Sequence, residues 1–407
     1  MKIAIPKERR RHERRVAASP DTVGKLIGLG FTVAVEAGAG DASTIPDALF
    51  EDAGAAVAGD RAALLADADI VLKVQRPLIA GDDAADAAEA AEANDAGEGG
   101  DEIAAMKRGA ILIGALDALR HAGHIAAFEK AGLTTFSLEL LPRITRAQSM
   151  DVLSSQSNIA GYKAVLDGAH EFARAFPMMM TAAGTIAPAR VLILGAGVAG
   201  LQAIATARRL GAVVSAYDVR PAVKEQVESL GAKFVEVDAA ATRDAETAEG
   251  YAKEMGEDYR RKQEQVLAET LAKQDIAICT ALIPGRAAPL LITDDMVASM
   301  RPGSVIVDLA VEHGGNCSLS EYGEVVVRHG VTIVGHANVP SRLARDATAM
   351  YARNLLSFIT PMVDGETGEL AIDWDDEIIK ACAITRDGAL VHPSLRQAPE
   401  AAVEAAS

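Results

Sequence analysis

The chain of 407 residues is predicted to be an α/β protein of two domains, each built on a doubly wound parallel sheet, with a cleft between them. Two series of short apolar runs support this fold class, because the runs alternate with helical patterns. Parallel strands need such crossover connections, whereas antiparallel strands can be joined by a short turn. The third observation is a glycine-rich turn that joins the first strand of the second series to its helix.

The first series lies before residue 145. Its predicted strands are residues 2–5, 31–35, 69–74, 110–113 and 133–136, with helical patterns such as 22–29 and 61–66 between them. A later helical pattern at 346–360 spaces Tyr351, Leu355 and Phe358 so that they bury one face. We expect this helix to return to the first domain, which would then comprise residues 1–145 and 340–407. The second domain is predicted at residues 146–339.

The second series begins near residue 189. Its predicted strands are residues 191–194, 213–217, 234–237, 276–281, 305–308 and 331–334. After the first of them, residues 195–200 read GAGVAG. Gly195 permits a tight turn, Gly197 lets backbone amides approach a pyrophosphate, and Gly200 lets the helix pack closely. Strand, glycine turn and helix in this order predict a dinucleotide-binding site, so we expect two Rossmann-like domains of which the second binds the ligand.

An acidic residue follows the second strand of this series. Asp218 lies 18 residues after Gly200, where an acid accepts hydrogen bonds from the adenosine ribose hydroxyls and repels a 2′-phosphate. The sequence therefore predicts that the ligand is NAD and not NADP. Arg220 would weaken this preference through its charge, or alternatively it only pairs with Asp218.

Composition excludes several classes of protein. The formal net charge of −17 argues against nucleic-acid binding, which needs basic patches. Cys279, Cys317 and Cys382 are too few and too widely spaced for a disulfide framework or a metal site, and they fit buried thiols in a reducing cytosol. The chain begins with no signal-peptide pattern and has no apolar run of membrane-helix length. We expect a cytoplasmic protein without a metal and without direct membrane insertion.

Two polar segments interrupt the alternating pattern. Residues 81–102 contain nine acidic residues and no basic ones, so we expect a surface insertion that buries no core and has no catalytic role. Residues 239–265 lie between two strands of the second domain and are longer than a usual connection. They are predicted to be a mobile loop that acts as a lid; the alternative is a solvated helix that begins near Glu246.

Polar side chains also concentrate between the two domains. Gln148, Asp151 and Ser154 are three residues apart, so a helix that starts near Gln148 would present them on one face, with Arg143 reaching back from the preceding loop. This face suits the carboxamide of a nicotinamide, which offers both a donor and an acceptor. The alternative is a network of helix caps and salt bridges.

Together these segments resemble the NAD(H)-binding alpha subunits of the proton-translocating NAD(P) transhydrogenases. The resemblance extends from residue 2 to residue 393 apart from the acidic insertion. It rests on the spacing of Arg143, Gln148, Asp151 and Ser154 and on these further motifs: Gln156-Ser-Asn158, Ala160-Gly-Tyr162, GAGVAG at 195–200, Asp218-Val-Arg220, GYAKEM at 250–255 and ALIPG at 281–285.

The resemblance implies a role for each candidate residue. The nicotinamide is oriented by Arg143, Gln148, Ser149, Met150, Asp151 and Ser154. The pyrophosphate lies against Gly195, Ala196, Gly197, Val198 and Gly200. The adenosine ribose lies among Asp218, Val219 and Arg220, while Gly250 and Tyr251 belong to the mobile loop, and Gln263 and Leu282 also contact the nucleotide. Arg143, Gln148, Asp151 and Tyr251 are the residues implied in catalysis.

The resemblance also implies partners. Hydride passes directly between two nicotinamide rings, so no acid or base is needed, and this chain has a single dinucleotide site. NADP(H) is therefore expected on a partner domain that belongs with the transhydrogenase membrane subunits. A homodimer is expected, peripheral on the cytoplasmic face of the bacterial inner membrane, where proton translocation drives the reduction of NADP⁺.

The rival interpretation is an alanine dehydrogenase-like, NAD-dependent amino-acid oxidoreductase. Arg15 and Lys73 match the positions where that family binds its substrate. However, Leu116 stands where that family has its histidine, and a leucine cannot transfer a proton. Asp308, which ends a predicted strand, is then expected to have a structural or capping role.

Overall fold

The computed structural model describes residues 1–80, 82, 101–237, 256–283, 286–365 and 367–396. The chain divides into two compact units. Unit 1 comprises Met1–Gln156 and Leu343–Ser407, and unit 2 comprises Ser157–Arg342.

The strands of these residues, in chain order, are β1 (Lys2–Ile5), β2 (Thr32–Glu36), β3 (Ala56–Ala58), β4 (Ile70–Gln75), β5 (Ile111–Ala115), β6 (Thr134–Ser137), β7 (Met179–Thr181), β8 (Gly184–Ile186), β9 (Arg190–Leu194), β10 (Val213–Tyr217), β11 (Lys233–Phe234), β12 (Ile276–Cys279), β13 (Val305–Asp308), β14 (Val325–Arg328), β15 (Val331–Val334), β16 (Ala383–Arg386) and β17 (Ala389–Leu390). The α-helices are α1 (Pro20–Gly28), α2 (Asp47–Asp52), α3 (Arg61–Ala66), α4 (Ala122–Ala131), α5 (Val152–Glu171), α6 (Val198–Arg209), α7 (Lys224–Ser229), α8 (Glu257–Leu271), α9 (Asp294–Ser299), α10 (Ala344–Ile359), α11 (Glu377–Cys382) and α12 (Pro393–Arg396).

Each unit is built on one large sheet. In unit 1 the strand order is β17-β16-β6-β5-β4-β1-β2-β3, and the strands from β6 to β3 are parallel. In unit 2 the order is β11-β10-β9-β12-β13-β15-β14, and only β14 runs antiparallel. The predicted α/β class with parallel sheets is therefore confirmed.

Both faces of each sheet are buried, as in a doubly wound fold. In β9, Val191 and Ile193 pack into one core cluster and Leu192 and Leu194 into another. In β1, Ile3 and Ile5 likewise face one cluster while Ala4 faces the other. This explains why the strands are nearly continuous apolar runs and do not alternate with polar residues.

The predicted helix at 346–360 is α10, which belongs to unit 1. Tyr351, Leu355 and Phe358 are each at most 1% exposed, which confirms the predicted buried face. The Tyr351 hydroxyl donates to the Lys73 carbonyl (3.0 Å) and accepts from the Ala115 amide (3.0 Å), so α10 is bonded to the ends of β4 and β5.

The ends of the acidic segment correct one expectation. Glu102 is buried, and its carboxylate binds the Lys73 ammonium at 3.0 and 3.1 Å. Asp82 binds the Arg10 guanidinium at 2.7 Å. The prediction that residues 81–102 bury nothing was therefore wrong at these ends, because each carboxylate compensates a cation that would otherwise lack a charge partner there. The residues between them lie outside the described ranges.

No helix in the described parts of the chain is both long and apolar enough to span a bilayer. Within the same parts, no three metal-ligating side chains form a group that could hold a metal ion. The three cysteines are free thiols buried in the cores.

Candidate functional site

The carboxyl ends of three parallel strands of unit 2 lie side by side. Leu194 of β9 pairs with Tyr217 of β10 on one side and with Cys279 of β12 on the other. The next residues along the chain are Gly195, Asp218 and Thr280. In open α/β sheets, ligands bind outside the carboxyl ends of the strands, so this edge of the sheet is the candidate site.

The glycine turn at this edge has the conformation that its sequence predicts. Gly195 has φ +100°, which an L side chain rarely adopts. A Cβ atom on Gly200 would lie 1.9 Å from the Gly195 carbonyl oxygen, so α6 can begin here only with glycine at that position. A Cβ on Gly197 would instead meet nothing within 4 Å.

The first turn of α6 begins at Val198, which is exposed. Its N-cap is Gly197, which has no side chain to accept hydrogen bonds from the first amides. A helix N-terminus with such amides carries partial positive charge and binds anions. The geometry therefore suits a phosphate group at this end of the helix.

Asp218 is buried and its carboxylate accepts four hydrogen bonds. One oxygen accepts from the Arg220 amide and Nε, both at 2.9 Å. The other accepts from the Ala196 amide at 2.7 Å and from Arg220 Nη2 at 2.8 Å. The pairing of Arg220 with Asp218, one of the two predicted possibilities, is present. The half-buried Val219 lies between them in the sequence.

A helix that follows residues 239–255 is attached to the same strand. In α8, the Tyr259 hydroxyl lies 3.1 Å from that of Tyr217, and Gln263 is also hydrogen-bonded to Tyr217. Burial and the Tyr259 hydroxyl raise the pKa of Tyr217, so both phenols stay neutral. Gln263 is thus held beside the residue that precedes Asp218.

The predicted lid is only partly described. Residues 257–265 are the beginning of α8, whereas Gly250 and Tyr251 lie outside the described residues, as do Pro284 and Gly285 of the last motif. Leu282 follows β12 and is 41% exposed.

The polar segment 143–154 belongs to unit 1 and starts its helix later than predicted. Thr145–Met150 form a 3₁₀ helix, and Asp151 is extended, with φ −70° and ψ 93°. Asp151 caps α5: its carboxylate accepts from the Ser154 amide at 2.8 Å and from the Ser154 hydroxyl at 2.5 Å. The prediction of one helix face from Gln148 to Ser154 was therefore wrong, because an aspartate that caps a helix lies outside it.

The other residues of this segment divide by exposure. Arg143, Gln148 and Ser149 are exposed, whereas Met150 is buried in the core of unit 1. The Ser149 carbonyl accepts a hydrogen bond from Asn354 of α10 at 2.8 Å. The buried Met150 and this bond fix the backbone from which Gln148 projects.

Sequence reasoning missed Gly161 in the middle of α5. A Cβ atom there would lie 2.0 Å from the carbonyl oxygen of Ala199, in the first turn of α6. Glycine is thus required for α5 to pack against the start of α6. The signal was an isolated glycine in a helical pattern, which usually has a packing reason.

The residues that match alanine dehydrogenase are engaged by the chain itself. The Arg15 guanidinium donates to Glu13 at 2.8 and 2.7 Å and to Gln156 at 2.8 Å. Lys73 is 1% exposed; burial alone would lower the pKa of Lys73, but the carboxylates of Glu102 and Glu8 raise it. Leu116 is fully buried.

Asp308 has the structural role that was expected of it. Its carboxylate accepts hydrogen bonds from the amides of Ala310 (2.9 Å), Asn316 (2.8 Å) and Cys317 (3.0 Å) and from the Ser320 hydroxyl (2.8 Å). It thereby fixes the loop that follows β13. Burial raises the pKa of Asp308 even though these donors oppose the shift.

Comparison with known proteins places the chain in a family. The sequence model described as "Alanine dehydrogenase/PNT, N-terminal domain" matches residues 4–160, and the corresponding C-terminal domain matches residues 164–393. A relative from Rhodospirillum rubrum, named as the first of the separate parts of NAD(P) transhydrogenase subunit alpha, is 59% identical over 97% of this chain and 99% of its own length. An alanine dehydrogenase of Halomonas elongata is 32% identical over 98% of this chain and 96% of its own length.

A solved structure agrees with the higher of these two identities. The crystal structure of a transhydrogenase from Sinorhizobium meliloti superposes with a TM-score of 0.82, at 51% identity, over 96% of this chain and 100% of that one. The resemblance predicted from the Arg-Gln-Asp segment and the GAGVAG turn is confirmed. The chain therefore belongs to the alanine dehydrogenase/PNT family and, within it, to the NAD(P) transhydrogenase alpha subunits.

Proposed function

We propose that the chain binds NAD(H) through unit 2 and that hydride passes from this NADH directly to NADP⁺ bound by a partner domain, coupled to proton translocation across the membrane. The observation that carries the proposal is the alignment of Gly195, Asp218 and Thr280 at the ends of three paired strands, where α6 begins. The 59% identity to an NAD(P) transhydrogenase alpha subunit over nearly the whole chain supports it.

The residues at this sheet edge fit a dinucleotide. The first amides of α6 would bind the pyrophosphate, since Gly197 leaves room for close approach. The ribose hydroxyls would replace the guanidinium bonds of Arg220 on Asp218, while the amides of Ala196 and Arg220 keep the carboxylate in place. We expect NADH to bind more tightly than NADPH, because Asp218 repels a 2′-phosphate. Calorimetry with both nucleotides measures this, and equal affinities would contradict it.

The proposed chemistry needs no ionisable side chain. A reduced nicotinamide supplies the hydride at its C4 atom, and the chain has to orient the ring and exclude water. We assign the orientation to Arg143, Gln148, Asp151 and Tyr251, as the resemblance implies. The Asp151 carboxylate is held by Ser154, and the exposed Gln148 projects from a fixed backbone, which supports a positioning role.

The test of this assignment is a stopped-flow measurement of hydride transfer with an NADP(H)-binding partner present. Gln148→Ala and Tyr251→Phe should slow transfer more than they weaken NADH binding, because ring placement affects the barrier more than the adenosine affinity. Arg146→Gln is the matched control, since Arg146 is exposed in the same segment but pairs with Asp376. Unchanged transfer in both site variants would show that the assignment is wrong.

The identity to an alanine dehydrogenase raises a second candidate function. Two observations count against it: Arg15 and Lys73 are already paired with the chain's own carboxylates, and the buried Leu116 cannot transfer a proton. We expect no change in NADH absorbance when the chain alone is given alanine with NAD⁺ or pyruvate and ammonium with NADH. Turnover under either condition would favour the dehydrogenase.

We further propose a homodimer in which the hairpin β7–β8 contacts a second copy. Met178, Met179, Met180 and Ile186 are all exposed on it, Met180 by 75%. A lone two-stranded hairpin is marginally stable in water, and clustered exposed apolar groups mark interaction surfaces. Sedimentation should show a dimer for the wild type and a shift towards monomer for Met179→Ser/Met180→Ser/Ile186→Thr. A dimer of unchanged stability in this variant would contradict the proposal.

The complete enzyme requires membrane subunits, to which this chain would bind on the cytoplasmic face of the bacterial inner membrane. The name of the Rhodospirillum relative divides subunit alpha into numbered parts, which supports a separate peripheral chain. In membrane fractionation, the protein should sediment with vesicles only when the membrane subunits are present. Sedimentation with plain lipid vesicles would count against this arrangement.

A further inference from the structure

A buried asparagine outside the candidate residues holds the loop that follows β12. Asn316 is 0% exposed. Its Oδ1 accepts from the Ala281 amide at 3.1 Å, and its Nδ2 donates to the carbonyls of Ala281 (2.9 Å) and Pro289 (2.8 Å). The carboxamide thus satisfies both polar backbone groups of Ala281 and uses both of its own N–H donors.

Asn316 is itself fixed by the end of β13. The Asp308 carboxylate accepts from the Asn316 amide at 2.8 Å. The Asn316 carbonyl accepts from the amides of Leu291 and Ile292, both at 2.9 Å. Gly315 makes this possible: it has φ +78°, and a Cβ there would lie 2.9 Å from the Asp308 carboxylate. The asparagine therefore has little freedom to move.

The loop that Asn316 holds is joined in turn to the glycine turn. The Thr280 hydroxyl donates to the Gly195 carbonyl at 2.9 Å. Ala281, the residue bound by Asn316, is followed directly by the exposed Leu282. A continuous series of hydrogen bonds and one peptide bond therefore connects Asp308, Asn316 and Thr280 to Gly195, across the ends of β13, β12 and β9.

We propose that Asn316 is a positioning residue of the nucleotide site, which fixes Ala281 and so places Leu282 and the Thr280 hydroxyl beside the glycine turn. This inference rests on the proposed function. A carboxamide suits the task because it offers an acceptor and two donors in one plane, which neither a carboxylate nor a hydroxyl provides. Loss of the side chain would leave both polar groups of Ala281 without these partners and would loosen the loop.

The test compares Asn316→Ala and Thr280→Val with Asp275→Asn. Asp275 is an equally buried polar residue of the same sheet that lies at its opposite edge, just before β12, where it binds the Arg190 amide at 2.9 Å. All three variants lose buried hydrogen bonds and should shift the urea midpoint. Thr280→Val keeps the side-chain volume and removes only the hydroxyl, so it also provides a test if Asn316→Ala does not fold.

NADH affinity is measured by calorimetry on the full chain. Asn316→Ala and Thr280→Val should raise the Kd for NADH by about three- to tenfold, the range expected for lost hydrogen bonds of ordinary strength, whereas Asp275→Asn should leave it within about twofold. In hydride transfer with the NADP(H)-binding partner, the KM for NADH should rise in both site variants while kcat at saturating NADH stays near the wild-type value.

The outcomes separate the two proposals. If the wild type binds NADH and both site variants bind it equally well, the positioning role is wrong and the proposed function stands. A loss of affinity in Asp275→Asn as large as that in the site variants would also overturn the positioning role, because general destabilisation would then explain all three. If the wild type does not bind NADH, the proposed function fails first, and the positioning role fails with it.

Discussion

At the scale of single residues, Glu8 is the clearest case of a charge in an unfavourable place. It is buried beside Lys73, at 3.3 Å, and its other oxygen accepts from the Val74 amide at 2.6 Å. Burial raises the pKa of Glu8 to about 7, and the neighbouring Glu13 and Glu102 add to the shift against the opposing effect of Lys73. The native chain therefore holds a proton at Glu8 that the unfolded chain releases near pH 4.5.

The sign of the effect on stability follows from this difference. Between about pH 4.5 and pH 7 the native state binds more protons than the unfolded state, so the contribution of Glu8 to stability falls as the pH rises and is fully lost above about 7. We expect Glu8→Gln to be more stable than the wild type at pH 8, by about 1–3 kcal/mol, and this advantage to shrink at pH 5. Urea unfolding at both pH values measures it.

A matched control exists in α2. Glu51 is exposed, so Glu51→Gln should give a stability curve parallel to that of the wild type between pH 5 and pH 8. If the curve of Glu8→Gln is also parallel to the wild type, then the buried carboxyl does not titrate in this window.

The glycines show how far single residues could be predicted. Gly195 and Gly200 were assigned correctly from GAGVAG, because their roles depend on the backbone of the turn itself. Gly161 could not be assigned in this way. Its requirement comes from Ala199 on another helix, and no spacing within α5 specifies that contact.

At the scale of secondary-structure elements, the start of α5 tests whether Asp151 is more than a helix cap. Asp151→Ala removes the bonds to Ser154 and should lower the stability by about 1 kcal/mol, whereas Asp151→Asn should nearly retain it, since asparagine also caps well. If Asp151 also orients the nicotinamide, both variants should slow hydride transfer. Wild-type transfer in Asp151→Asn would leave capping as its only role.

Strands were predicted well where both faces are buried. Five strands of unit 1 and six of unit 2 were recognised from apolar runs, with ends that differ by at most a few residues. The omitted strands are short or lie at edges: β3 has three small residues, and β14, β16 and β17 are antiparallel additions. An edge strand buries less apolar surface, so its sequence carries a weaker pattern.

The 3₁₀ helix before α5 was missed for a different reason. Thr145–Met150 and α5 have compatible apolar spacing, and the break depends on the backbone of Asp151. An aspartate is acceptable both within the first turn of a helix and as its cap. Spacing alone therefore could not decide between the two positions.

At the scale of the whole molecule, the acidic segment enters and leaves unit 1 at neighbouring points. The Asp82 amide donates to the Ile79 carbonyl at 3.1 Å, and the Glu102 amide donates to the Leu78 carbonyl at 2.9 Å. We therefore expect that residues 83–101 can be replaced by a short Gly-Ser linker with a change of less than about 0.5 kcal/mol in the free energy of unfolding.

The matched variant is Glu102→Gln in the full-length chain. It leaves Lys73 buried with only Glu8 beside it, so it should lower the free energy of unfolding by about 3 kcal/mol. Urea titrations of both variants measure the contrast. A large loss in the linker variant would show that residues 83–101 themselves contribute to stability, and no loss in Glu102→Gln would show that the buried pair does not.

The division of the fold into a predictable sheet and unpredictable charges has a common cause. Apolar burial depends on local periodicity, which a single sequence displays. The partners of Lys73 and Arg15 depend on which distant carboxylates the fold brings to them, and Glu8, Glu13 and Glu102 looked like ordinary surface residues in the sequence. Alternative roles for these two cations could be excluded only once the distances were known.

The buried thiols have a practical consequence. Cys279, Cys317 and Cys382 are at most 2% exposed, and burial raises the pKa of each thiol, so little reactive thiolate is present at neutral pH. A cysteine introduced at an exposed position such as Lys25 would react with a maleimide dye long before any native one. Fluorescent or spin probes can therefore be attached at chosen points without first removing the natural cysteines.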